Sequence, residues 1–136
     1  MAGQAWRIVA SSILQTSRTH SRVNLLGENF PDDQRSVLRA WRVPFREIGF
    51  HAGHFGVKDD NIFPLLHRQR QVTFFTQDED FFRRKFCHPA YCLIWLDVGA
   101  DDAAHYVRRF LRHPRFGTIA SRMGVVARAH HNGIHF

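Results

Sequence analysis

The stretch YCLIWLDV, residues 91–98, is a nearly continuous apolar run that closes on an aspartate just before Gly99. A run this short and this apolar suits a strand buried on both faces. Such strands occur where helices cover both sides of a parallel sheet. Upstream, VTFFT (72–76) is rich in β-branched and aromatic residues and predicts another strand. VNLL (23–26), ending at Gly27, predicts a third of the buried kind. Residues 45–50 read as a further strand that runs out in the stretch from Gly49 to Gly53, and the tail 124–136 reads as a final one.

Helical patterns fill the gaps. Pro31 suits a first helical turn, Asp32 and Asp33 suit its dipole, and Val37, Leu38 and Trp41 follow at helical spacing. Pro44 is the expected stop. Asp59 can cap a second helix whose Ile62, Leu65 and Leu66 share a face, with Pro64 inside the pattern. Residues 78–84 read as a short helix, and 101–112 as a longer one with Ala104, Val107, Phe110 and Leu111. The order β-α-β-α-β-α-β-α-β predicts an α/β fold: a three-layer α/β/α sandwich with a mostly parallel central sheet.

At 136 residues the chain suits one domain, 21–136, with residues 1–20 as an N-terminal extension. Hydrophobic residues at 44% and charged residues at 23% exclude a disordered chain. No apolar run reaches about 18 residues, so no membrane span is expected and the chain reads as soluble and cytoplasmic. The net charge is +7, and only Lys58 and Lys85 are lysines among the 19 Lys and Arg residues. Arginine forks suit phosphates and carboxylates, so nucleic acid and an acidic protein both fit as partners. A GC-rich coding sequence explains the same bias without any partner. Cys87 and Cys92 lack zinc-site spacing and read as reduced thiols, Cys92 in a core strand. His51, His54, His130, His131 and His135 form no helical HExxH pattern.

In parallel sheets, ligands bind beyond the carboxyl ends of the strands. Glu28 follows the first strand, and Asp78 and Asp80 follow VTFFT. Asp59 joins them only if the loop before its helix returns to that edge. TQDED (76–80) has two readings: a capped helix start, or half of an acidic metal site. Asp97 reads as a turn residue, Asp101 and Asp102 as a helix start, and the pairs Phe74–Phe75 and Phe81–Phe82 as core. The arginine-rich run 106–115 reads as a solvated face able to meet RNA or an acidic partner.

The segments VNLLGENFP, GVKDDNIFPLL, VTFFTQDEDFF and YCLIWLDV together resemble the PIN-like proteins of the DUF5615 group, a compact form of the PIN nuclease domain. Glu28, Asn29 and Pro31 match the first motif of that group, Asp59 and Ile62 the second, and Thr76, Asp78, Asp80 and Phe81 the third. Gly27 stands where the group usually has an aspartate. The resemblance covers about residues 22–115 and implies a metal-dependent ribonuclease, a hydrolase using Mg²⁺ or Mn²⁺, of the kind found as the toxin of toxin–antitoxin pairs. It implies catalytic roles for Glu28, Asp59, Asp78 and Asp80, with Asp59, Asp78 and Asp80 as metal ligands. Oxygen donors without cysteine or histidine suit these ions. Arg35, Arg39, Arg83 and Arg84 are the expected phosphate contacts. The alternative is a degenerate PIN-like protein that binds RNA, an antitoxin or another protein, or a second copy of itself.

Overall fold

The computed structural model describes residues 23–48 and 59–136; the expected extension 1–20 and the glycine stretch 49–53 lie outside them. Six strands form one sheet: β1 (Val23–Leu26), β2 (Arg46–Glu47), β3 (Val72–Thr76), β4 (Tyr91–Leu96), β5 (Val126–His130) and β6 (Gly133–His135). Their order is β2-β1-β3-β4-β5-β6, parallel throughout except for β6 against β5. The α-helices are α1 (Asp32–Ala40), α2 (Asp59–Gln69), α3 (Ala103–Leu111) and the short α4 (Ile119–Arg122).

Successive side chains of a strand point to opposite faces, and the core divides accordingly. Val23, Leu25, Val72, Phe74, Tyr91 and Leu93 pack with Ile62, Leu65 and Leu66 of α2. Leu26, Phe75, Cys92, Ile94, Leu96, Ala127 and Ala129 pack with Leu38 of α1 and with Ala104, Val107 and Phe110 of α3. The sheet is therefore covered by helix on both faces, which is why β3 and β4 are buried at nearly every position. Burying a large core side chain of this kind contributes roughly 1.5–3 kcal/mol.

Helices α1 and α3 share one face and touch each other. Buried Gln34 of α1 accepts the Ala104 N–H at 2.9 Å, and the Arg108 guanidinium lies 3.6 Å from the Trp41 ring centre. Their crossovers, β1 to β2 and β4 to β5, step in opposite directions across the sheet. They therefore have opposite hands, so one departs from the usual right-handed rule.

Several boundaries differ from expectation. The second strand is two residues long. Helix α1 ends before Pro44: Arg42 takes a left-handed φ of 60°, and the Val43 N–H reaches back to Leu38 O at 3.0 Å. Residues 78–84 form no α-helix; two 3₁₀ turns, Glu79–Phe81 and Arg84–Phe86, lead from β3 to β4. The tail is two strands, β5 and β6, folded back through His131–Asn132 with Gly133 at φ 127°. Among the described residues, no helix is long and apolar enough to cross a membrane.

Candidate functional site

β1 and β3 are parallel neighbours, with Leu26 opposite Phe75. Their carboxyl ends therefore deliver Glu28 and the Thr76–Asp80 loop to one edge of the sheet. Helix α2 enters β3 after two residues and lies along the sheet. His67, near its end, meets Tyr91 at the start of β4, with ring centres 5.4 Å apart. Phe63, one turn earlier, meets Phe81 beyond the end of β3 at 5.9 Å. The helix thus runs back against β3, and its first turn, opened by Asp59, points to the same carboxyl edge. The Asp59 side chain lies outside what the structure describes.

The Glu28 Oε1 atom is buried and has no hydrogen-bond partner. Such an atom in a folded chain calls for a proton, a cation or a donor. Its own carbonyl accepts from Arg35 Nη2 at 3.4 Å. At the end of β2, Glu47 is buried and takes Arg39 Nη2 at 2.9 Å and Arg35 Nε at 3.7 Å. Arg35 also pairs with Asp32. Two of the arginines expected to hold RNA are thus anchored to carboxylates of the fold, while Arg83 and Arg84 are exposed.

Asp78 closes its own loop. Its N–H donates to Thr76 Oγ1 at 3.0 Å, and its Oδ1 accepts the Asp80 N–H at 2.9 Å. Gln77 ties the loop to β4 by donating to Val98 O at 3.0 Å. Asp80 points to solvent, 67% exposed, with Arg83 at 3.7 Å. The capping reading of TQDED therefore describes Asp78 Oδ1, and its second oxygen remains available to a ligand. Among the described residues, no three or more His, Cys, Asp or Glu side chains group closely enough to hold a metal ion. Of the expected donors, Glu28 and Asp78 share the edge, Asp80 stands outward, and Asp59 contributes its backbone position alone. Carboxylate oxygens with one orphaned buried member suit a hard cation such as Mg²⁺ or Mn²⁺.

Gly27 extends β1 by one residue, donating its N–H to Phe75 O at 2.9 Å. A Cβ there would lie 3.5 Å from Thr76 Oγ1, an ordinary contact. The position thus accepts a Cβ without backbone conflict.

Three features of the edge escaped the sequence reading. Asp97, expected as a turn residue, instead extends the β4–β5 ladder through its N–H to Ala129 O at 2.9 Å and is an ion-pair partner, accepting Arg128 Nε at 2.8 Å and Nη2 at 2.6 Å. Glu47 is a buried acid, signalled only by its place between apolar Phe45 and Ile48. Phe82 is exposed at 36% and lies 5.6 Å from the Trp95 ring, whereas Phe74, Phe75 and Phe81 are core. Its reading as a core residue is corrected: the 3₁₀ turn buries Phe81 and throws its neighbour outward.

The histidines near the end gather around the hairpin. The rings of His130 and His135 are 4.5 Å apart, and His131 Nδ1 lies 2.9 Å from Tyr106 Oη. Partial burial, then the charges of Arg128, His135 and His131, hold His130 below the usual histidine pKa, with Asp97 opposing. His51 and His54 lie outside the described residues.

No protein-family model, curated protein or solved structure matches the chain.

Proposed function

We propose that the chain is a divalent-cation-dependent ribonuclease of the PIN-like type, with its site at the carboxyl edge of β1 and β3. The observation that carries this reading is the buried, unpartnered Glu28 Oε1 just past the end of β1, the strand paired with the one that presents Asp78. Glu28, Asp78 and Asp59 would hold Mg²⁺ or Mn²⁺, with Asp80 at the solvent side. When bound, such an ion activates a water and stabilises charge developing on the phosphate. Asp78 fixes its own carboxylate through its loop hydrogen bonds, so one oxygen is presented in a set direction. Arg83, exposed beside Asp80, is placed to meet a phosphate of the chain being cut.

The second reading is a degenerate PIN-like protein that binds RNA or a protein partner without cutting. Gly27 favours it, because one acid of the family pattern is missing. RNA cleavage with Mn²⁺ or Mg²⁺ separates the two. Wild type should cut, and Asp78→Asn should lose at least 100-fold in rate, the scale on which positioned groups act. Absence of cleavage with either metal, or equal cleavage by Asp78→Asn, selects the binding reading. The toxin role is tested by growth arrest on expression and its relief by a protein encoded alongside.

A further inference from the structure

Three side chains form a row across the outer half of the sheet. Trp95 of β4 stands opposite Arg128 of β5, and Arg128 stands opposite His135 of β6. In-register partners share a face, here the face that α2 covers farther along. Trp95 belongs to neither packed core cluster. The Arg128 guanidinium lies 5.2 Å from the Trp95 ring centre. Phe82 continues the row toward the acidic loop, 5.6 Å from Trp95 and directly after the turn that bears Asp80. Phe82 and Phe136 are the exposed large hydrophobics among the described residues.

We propose that the strip Phe82–Trp95–Arg128–His135 binds single-stranded RNA and leads it to the carboxyl edge. This rests on the ribonuclease reading for the identity of the ligand, since the site proposed to cut lies at its end. Aromatic rings next to cationic groups match a single strand, whose unstacked bases offer flat faces and whose phosphates carry charge. A duplex hides its base faces. An acidic peptide would satisfy Arg128 and leave Trp95 and Phe82 unmatched. Asp97 does not cancel the strip. It accepts both Nε and Nη2 of Arg128 on one oxygen, which fixes the guanidinium beside Trp95 and leaves Nη1 as the donor for a phosphate.

The test uses the full chain and a fluorescent ten-nucleotide oligouridine RNA in EDTA, so that binding is read without cleavage. Wild type should bind with salt-sensitive affinity. Trp95→Leu should weaken binding about tenfold, the loss of one base stack, while Trp95→Phe stays within about threefold. Arg128→Gln should weaken binding and lower the salt slope by about one. A duplex should bind at least tenfold more weakly. Thermal melts establish that each variant is folded, and the two positions test the strip independently.

The proposal is overturned if wild type does not bind the oligonucleotide, if duplex binds equally well, or if folded Trp95→Leu and Arg128→Gln bind like wild type. Binding of polyglutamate in place of RNA overturns it in favour of an acidic protein partner. Binding through Trp95 without cleavage under Mn²⁺ keeps the strip and removes the nuclease. Cleavage with unchanged binding by both variants does the reverse.

Discussion

A Cβ on Gly27 would sit 3.5 Å from Thr76 Oγ1, the hydroxyl that accepts the Asp78 N–H. Position 27 is therefore in direct contact with the loop that presents the Asp78 carboxylate, and it is buried. The Cβ of an aspartate here would meet its neighbours at ordinary contact distance. Gly27→Asp should lower stability in EDTA by about 1–3 kcal/mol, because a carboxylate is buried next to other acids. Mn²⁺ should restore the melting temperature, and the variant should bind Mn²⁺ more tightly than wild type by calorimetry. An unchanged Mn²⁺ affinity would show that position 27 does not face the ion.

Asp78 carries two roles that a pair of substitutions separates. Asparagine caps about as well as aspartate, so Asp78→Asn should keep the Asp80 N–H bond and melt near wild type. Asp78→Ala loses the cap as well and should cost about 1 kcal/mol. Both should lose Mn²⁺-dependent cleavage equally. A denaturant titration of the three proteins checks the ordering, and a large loss in Asp78→Asn would assign the carboxylate charge to folding.

The central strands and their covering helices were legible because their signals are local. YCLIWL and VTFFT are apolar on both faces, and the apolar positions of α1, α2 and α3 recur at helical spacing. That Glu28 and Asp78 follow the carboxyl ends of neighbouring parallel strands was legible from the βα alternation. What stayed hidden depends on residues far apart in the chain. The Asp97–Arg128 pair spans 31 positions and exists only in the β4–β5 register. Glu47 is buried because α1 brings Arg39 to it. Phe82 read as core together with Phe81, and the 3₁₀ turn buries only Phe81. The hairpin of β5 and β6 turns on Gly133, whose positive φ no apolar pattern announces.

The two cysteines should differ sharply in reactivity. Cys92 is fully buried, and that burial pushes its thiol well above the ordinary range despite nearby Arg122. Cys87 is exposed. Thiolate is the reacting species, so a native-state alkylation at pH 8 should modify Cys87 and leave Cys92 untouched until denaturant is added. Peptide mass spectrometry at timed intervals reads both sites. Comparable rates for the two would place Cys92 outside the core that it shares with Ile94 and Phe110.

His130 should make stability depend on pH. Its Nε2 is buried without a partner, and Arg128, His135 and His131 add positive charge around it, while Asp97 pulls the other way. Arg109 and His113 line a pocket that His130 also borders. The folded state thus holds the imidazole below its unfolded pKa of about 6.5. Between the two pKa values the unfolded chain binds the extra proton, so stability rises with pH there. The contribution is complete above about pH 6.5 and is lost as pH falls through the lowered folded value. The His130 ring should titrate below 6.5 by NMR, and His130→Gln should narrow the difference in melting temperature between pH 7.5 and pH 5. A His130 pKa at or above 6.5, or an unchanged difference in the variant, would overturn this assignment.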